Sequence, residues 1–95
     1  MAAYRLSRKA EQTLETIYAY SMLTFGEAQA DLYFGSLHDA FGLLQANPAL
    51  GRALPRREEM RCFVHRRHTI YYVASEPSIL IFDILGPGQD TSGYL

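Results

Sequence analysis

The chain has 95 residues, 48% of them hydrophobic, which suffices for one small domain with its own core. Its formal net charge of −1 provides no general attraction to nucleic acid or anionic lipid, so neither sequence-specific nucleic-acid binding nor membrane binding is expected. Because Cys62 is the only cysteine and no apolar run reaches the roughly 18 residues of a membrane span, the composition predicts a cytoplasmic protein without disulfides.

The first elements in chain order are a short strand and a helix. Tyr4 and Leu6 alternate with Arg5 in the strand, and Ser7 is placed to cap the helix that follows. Gly26 ends this helix, because glycine adopts left-handed backbone geometry at little cost. The stripe along the helix recurs every three or four residues: Ala10, Leu14, Ile17, Tyr18, Ser21, Met22 and Phe25.

A second helix is predicted from Glu27 to the Asn47-Pro48 pair, since proline lacks the amide that a helix needs. The link between the helices is short, so they should pack as an antiparallel hairpin. The stripe of the second helix comprises Ala30, Tyr33, Phe34, Leu37, Ala40, Phe41 and Leu44.

The second half of the chain predicts a sheet. Residues 47–59 are predicted to form a connecting loop, 60–65 and 68–74 a β-hairpin, and 79–85 a central strand after a turn at 76–78. Asp83 interrupts the last apolar run and should face outward. The fold class is therefore α+β: an N-terminal strand and an antiparallel helical hairpin packed on a small antiparallel sheet. Residues 1–95 form one domain, and the glycine-rich tail 86–95 should be mobile.

This order of segments resembles the ParE/RelE superfamily of bacterial toxins, specifically its ParE (plasmid-stabilisation) branch. YRLSRKAEQTLETIYAYS is similar to the branch's opening strand and first helix, and FGEAQADLYFGSL to the start of its second helix. NPALGR resembles its helix stop and RCFVHRRHTIYYV its strand pair, in which Arg67, His68 and Tyr72 match recurrent positions. The resemblance implies the toxin of a type II toxin–antitoxin system, neutralised by a cognate ParD-like antitoxin, and an inhibitor of DNA gyrase. The sister RelE-like branch cleaves messenger RNA on the ribosome.

The C-terminal end departs from the branch. A basic end of the form leucine-histidine-x-arginine-methionine-aspartate is usual there, whereas this chain has Gly86, Pro87 and Gly88 in that stretch and retains only Asp90 of its polar residues. A degenerate member that binds an antitoxin without being toxic is therefore one of the open hypotheses.

Positive charge is concentrated in one segment. Six arginines lie between Arg52 and His68 against two glutamates, whereas residues 1–50 carry three positive and five negative side chains. Around residues 56–59 these charges can simply pair and solvate a loop. For the remaining basic side chains we favour contact with a partner, and the predicted target-binding residues are Arg61, Arg66, Arg67, His68 and Asp90.

A ribosome-dependent endoribonuclease is the enzymatic alternative. It would need a base, an acid and cations around the scissile phosphate, and Arg61, Arg67 and Tyr94 are the residues that it would depend on. His65 is disfavoured as the base, because it shares a strand face with Phe63 and that face is at least half core. The three histidines and the cysteine show no paired ligand spacing, so no catalytic residue, metal or cofactor is predicted.

The aromatic content predicts a protein interface. Seven tyrosines and five phenylalanines exceed what a two-layer core of this size can enclose, and amphipathic aromatic side chains at its edge suit partner binding. We expect a groove between the helical hairpin and the sheet that accepts an amphipathic antitoxin segment. Its predicted lining comprises Tyr4, Leu6, Tyr18, Met22, Phe34 and Leu37.

Overall fold

Two helices pack on one face of a five-stranded sheet in the computed structural model, which describes residues 4–75 and 78–86. The elements are β1 (Arg5–Leu6), α1 (Arg8–Phe25), α2 (Glu27–Ala46), β2 (Arg52–Leu54), β3 (Arg57–His65), β4 (His68–Ser75) and β5 (Ser78–Leu85). The strand order is β1-β5-β4-β3-β2. The predicted α+β class, the helical hairpin and the N-terminal strand are confirmed. No helix in this part of the chain is long and apolar enough to cross a membrane.

The sheet is mixed. Neighbouring strands from β2 to β5 pair antiparallel, whereas β1 pairs parallel with β5, joining the sheet at one side as expected. Ser7 joins α1 to the sheet, because its hydroxyl is hydrogen-bonded to both. Its Oγ accepts a hydrogen bond from the Ala10 amide at 3.0 Å, as the predicted N-cap does, and donates to the Phe82 carbonyl oxygen at 2.6 Å. The start of α1 is thereby attached to β5.

The main core lies between the helices and the sheet, and both predicted helical stripes contribute to it. Its buried members are Ala10, Leu14, Leu37, Ala40, Phe41, Leu44, Ile70, Tyr72, Ile79, Ile81 and Ile84. A second cluster of buried residues comprises Leu54, Met60, Cys62, Tyr71 and Leu85. Successive strand residues point to opposite faces, so β4 and β5 contribute apolar side chains to both clusters.

The predicted loop 47–59 is partly wrong. It contains β2 and the first residues of β3, which pair antiparallel across an irregularity between Ala53 and Leu54. The charged residues at 56–59 argued for a loop in the sequence. At the outer hairpin of a sheet, however, charged side chains reach solvent while the backbone still pairs, so a loop-like composition is compatible with strand structure there.

The outward position predicted for Asp83 is wrong. Asp83 is fully buried and faces α1, next to an irregularity in the β4–β5 pairing where Tyr72 lies opposite Ile81 and Tyr71 opposite Asp83. Its Oδ1 accepts hydrogen bonds from the Ile84 amide at 2.8 Å and from Thr13 Oγ1 at 3.4 Å. Its Oδ2 lies 3.2 Å from the ammonium of Lys9. Helix α1 therefore supplies the polar partners that make this burial possible.

Some of the sequence predictions lie outside the described residues. The turn at Glu76 and Pro77 is one of them, and the tail from residue 87 onward is another. Asp90, predicted to contact a target, and Tyr94, required by the nuclease hypothesis, belong to that tail.

Candidate functional site

The β3–β4 connection forms an exposed cationic turn, here called the arginine turn and defined as residues 65–68. His65 pairs with His68 across the hairpin, which leaves Arg66 and Arg67 as the two connecting residues. Both arginine side chains are exposed. Arg66 has a φ of 54°, and it is the one non-glycine residue in the described ranges with a positive φ. This geometry is costly for a residue with a Cβ, so the turn holds arginine where glycine would fit better.

Helix α2 holds both histidines of the arginine turn. The hydroxyl of Tyr33 is hydrogen-bonded to His68 Nδ1 at 2.5 Å, and Ser36 Oγ to His65 Nε2 at 3.0 Å. Ser36 also donates its hydroxyl proton to the Tyr33 carbonyl at 2.8 Å. With that proton used, Ser36 must accept the second bond, so His65 donates through Nε2–H. The arginine turn is thus anchored to a helix one layer away.

The histidines contribute little charge to the arginine turn near neutral pH. Burial is the main cause that lowers the pKa of His65 below its ordinary 6.5, and the charge of Arg66 lowers it further. Burial also lowers the pKa of His68, with Arg67 and His65 acting in the same direction. Both imidazoles are therefore mainly neutral above pH 6.5. The positive charge belongs to the two arginines, and the histidines position them.

Arg61, also predicted to contact a target, lies elsewhere on β3. It precedes His65 by four positions on the strand, a distance of about 13 Å. Its Nη1 donates to the carbonyl oxygen of Gly51 at 2.5 Å and approaches that of Ala49 at 3.5 Å. Arg61 therefore braces the loop before β2. The structure brings together Arg66, Arg67 and His68 of the predicted target-binding set, and places Arg61 apart from them.

The predicted antitoxin-binding residues are partly contiguous. Tyr4 stacks in a tilted geometry near His38 (5.9 Å between ring centroids), His38 lies 4.7 Å from Phe34, and Phe34 lies 5.5 Å from Tyr18. The Tyr4 hydroxyl is also hydrogen-bonded to His38 Nδ1. These four rings form a half-buried row, here called the aromatic row. His38 was not among the predicted residues, although it lies between two of them, Tyr4 and Phe34.

The other three predicted antitoxin-binding residues do not belong to the aromatic row, and they differ from one another in burial. Leu6 is half-buried against the main core, and Leu37 is 0% exposed within it. A rigid partner cannot touch Leu37 in this arrangement. Met22, by contrast, is exposed near the end of α1.

A cleft of about 540 Å³ opens beside the arginine turn, between the joined ends of the helices and the sheet. We call it the hairpin cleft. Its described lining residues are Thr13, Thr16, Ile17, Tyr20, Ser21, Phe25, Gln29, Tyr33, Arg67, His68 and Gly86. Helical periodicity placed several of these on the apolar faces of the helices. A groove between the helical hairpin and the sheet was predicted, but none of its predicted lining residues lines the hairpin cleft. Periodicity does not indicate which residues of the apolar helix faces the sheet leaves uncovered.

The arginine turn has helical groups on both sides, and Asp31 and Asp39 of α2 line a pocket together with Arg66. Each histidine is already hydrogen-bonded to a helical hydroxyl group, and the turn itself contains no carboxylate. In residues 4–75 and 78–86, no three side chains among histidine, cysteine, aspartate and glutamate form a group that could hold a metal ion. What the site does present is exposed positive charge in a fixed geometry, which suits recognition of an anionic surface.

The chain matches the model of a known protein family. The family described as "ParE toxin of type II toxin-antitoxin system, parDE" matches residues 4–90. Among solved structures, "Chromosomal ParDE TA system from P. aeruginosa" aligns with a TM-score of 0.75 at 20% identity, over 90% of this chain and 96% of that one. At that identity the likeness shows a shared fold alone. No curated protein sequence matches the chain.

Proposed function

The chain belongs to the ParE family of type II toxin–antitoxin toxins, and from this premise we propose that it inhibits DNA gyrase by direct binding and is neutralised by a cognate, ParD-like antitoxin. Gyrase and its DNA are cytoplasmic, so the cytoplasm is the proposed site of action. The observation that carries the proposal is the arginine turn, with its two exposed arginines on a backbone anchored to α2.

The anchoring supports a binding role for the arginine turn. An exposed arginine on a loose loop loses side-chain and backbone freedom when it binds, and that loss reduces affinity. Here the hydrogen bonds that join Tyr33 to His68 and Ser36 to His65 restrain the turn before any partner arrives. Arg66 and Arg67 would contact the target, and His68 would position them. Arg61 braces its loop, and Asp90 remains a proposed contact outside the described residues.

The aromatic row supports the proposed binding of an antitoxin. Tyr4, Phe34 and Tyr18 are half-buried, so each keeps part of its ring available to a partner. Aromatic residues, tyrosine and phenylalanine among them, are enriched at protein interfaces. An antitoxin segment lying along this row would cover Met22 only if it also reached the end of α1.

A supercoiling assay tests the proposed function. Purified protein should inhibit supercoiling by gyrase, and the double variant Arg66→Gln/Arg67→Gln should inhibit at least about tenfold less, since two charged contacts are removed. Arg56→Gln/Arg57→Gln is the matched control: it removes the same charge from two exposed arginines at the β2–β3 connection. Normal supercoiling in excess protein would refute the proposal. An equal loss in both variants would show that only net charge matters.

Two further assays address the alternatives. If the protein is a RelE-like nuclease, a translating extract will show cleaved transcripts, and replacement of Arg61, Arg67 or Tyr94 will abolish the cleavage. If it is a degenerate, non-toxic member, cells that express it without an antitoxin will grow normally. Gyrase inhibition predicts intact transcripts and arrested growth.

A further inference from the structure

The hairpin cleft has a composition that selects its occupant. Its walls are formed largely by the apolar parts of Ile17, Phe25 and Tyr33, and Tyr20 and Phe25 keep 62% and 54% of their surface exposed. Among the described lining residues, Arg67 alone carries a permanent charge and none is acidic. A cleft of this size can hold a drug-sized group, of which a large apolar side chain would fill part and a few polar groups the rest.

Charge complementarity identifies those polar groups. A ligand that brings only an apolar group into the cleft would leave the Arg67 guanidinium without a counter-ion. A ligand that also carries a carboxylate can pair with Arg67, because a guanidinium matches a carboxylate in shape and charge. Of the hydroxyls that line the same cleft, that of Ser21 can donate a hydrogen bond to such a group. The hydroxyls of Thr13 and Thr16 already donate to Asp83 and to the Gln12 carbonyl.

We propose that the hairpin cleft binds one segment of the antitoxin, through an apolar side chain that enters the cleft and a neighbouring carboxylate that pairs with Arg67. The inference rests on the proposed function, which supplies the antitoxin. It adds a mechanism of neutralisation, because Arg67 belongs both to the cleft and to the arginine turn proposed to contact gyrase. An antitoxin in the cleft and gyrase on the arginine turn would compete for the same guanidinium.

The test uses three small probes that share one skeleton. The isotope-labelled full chain is titrated with 4-phenylbutyrate, its neutral amide 4-phenylbutanamide, and the cationic 4-phenylbutylamine, and backbone amide signals are followed by NMR. All signals that move should belong to residues lining the cleft, such as Ile17, Ser21 and Phe25. The carboxylate should bind about fivefold more tightly than the amide, which is the upper range for an ion pair that stays partly exposed. The amine should bind most weakly.

Two variants isolate the role of Arg67. Arg67→Gln should reduce the preference for carboxylate over amide to less than about twofold, while the shared phenyl group still binds. Arg66→Gln should keep the preference, since Arg66 carries the same charge on the same turn but does not line the hairpin cleft. Both side chains are exposed, so both variants should keep the native spectrum elsewhere.

Three results would overturn the inference: a preference that survives Arg67→Gln, signal changes outside the cleft, or no saturable binding of any probe. Cleft signals that move with protein concentration alone would show that a second copy of the chain occupies the cleft, and would also overturn it. None of these measurements involves gyrase. If the probes fail to bind but the protein inhibits supercoiling, only the proposed role of the hairpin cleft is refuted. If the probes bind as expected but supercoiling is normal, the proposal that gyrase is the target is refuted.

Discussion

The Tyr72 hydroxyl holds the loop before β2 in place. It accepts a hydrogen bond from the Gly51 amide at 2.8 Å and donates one to the Pro48 carbonyl at 2.7 Å. A Cβ at position 51 would lie 2.6 Å from this hydroxyl oxygen, so the loop can approach Tyr72 only with glycine at that position. Together with the bond from Arg61 to Gly51, these contacts explain why the NPALGR segment adopts a single path.

Replacing Tyr72 by phenylalanine should lower the free energy of unfolding by about 1–3 kcal/mol, because a buried amide and a carbonyl lose their partner. Tyr20→Phe is the control: Tyr20 is 62% exposed, so its hydroxyl faces water and the change should stay within about 0.5 kcal/mol. Urea denaturation of the three proteins measures both values. Equal stability of Tyr72→Phe and the native chain would contradict the bracing role of the hydroxyl.

At the scale of elements, the β3–β4 hairpin combines backbone strain with anchoring. Arg66 occupies left-handed geometry, and α2 holds the histidines on either side of the arginine pair. Strain of this kind often accompanies a surface that has to be presented in one orientation. A substitution at Arg66 can therefore change the stability of the protein and its binding to a partner in opposite directions.

Arg66→Gly should raise stability by up to about 1 kcal/mol while weakening gyrase inhibition, because glycine relieves the positive φ but removes a proposed contact. Arg67→Gly is the matched control, since Arg67 does not have a positive φ and should gain no stability. Thermal or urea unfolding and the supercoiling assay are run on the same samples. A destabilised Arg66→Gly variant would contradict the strain assigned to the positive φ of Arg66.

Acidification should weaken the attachment of the hairpin to α2. The folded-state pKa values of His65 and His68 lie below the ordinary 6.5, so the unfolded chain binds more protons as the pH falls through 6.5. Stability is thus retained above pH 6.5 and declines below it. The urea midpoint should be lower near pH 5.5 than near pH 7.5.

The variant His65→Gln/His68→Gln should lose part of that pH dependence. His38 accounts for a remaining part, because burial lowers its pKa as well. A midpoint in the native chain that is the same at both pH values would contradict the lowered pKa values.

At the scale of the whole molecule, one main core joins the helical hairpin to the sheet. A chain of this length buries a smaller fraction of its surface than a larger domain does, so its stability is modest and each core residue matters. Leu37 shows the consequence. It was predicted to bind the antitoxin, and its full burial makes it a contributor to the core on which every surface depends.

Leu37→Ala should destabilise the protein by about 2–5 kcal/mol, through lost burial and the cavity that remains. Leu32→Ala, on the same helix but 69% exposed, should change stability by no more than about 0.5 kcal/mol. Calorimetry or urea unfolding gives both numbers. If Leu37→Ala kept full stability but lost antitoxin binding, the original sequence prediction for Leu37 would be the better one.

Local patterns determined much of this protein. Helical periodicity, the Ser7 cap, the stop at Asn47-Pro48 and the alternation in the β3–β4 hairpin each depend on neighbouring residues, so the α+β class and the resemblance to the ParE branch could be read from the chain and are confirmed. The arginine turn was visible for the same reason, as adjacent basic residues between two strands.

Tertiary contacts decided the rest, because they join residues that the sequence separates widely. Asp83 can be buried because α1 supplies Thr13 and Lys9 as partners, some seventy positions earlier in the chain. Arg61 and Arg67 look alike in the sequence, yet one meets loop carbonyls and the other lines a cleft. The packing of the helical layer on the sheet decides which apolar residues are covered and which remain exposed. No local sequence pattern carries that information.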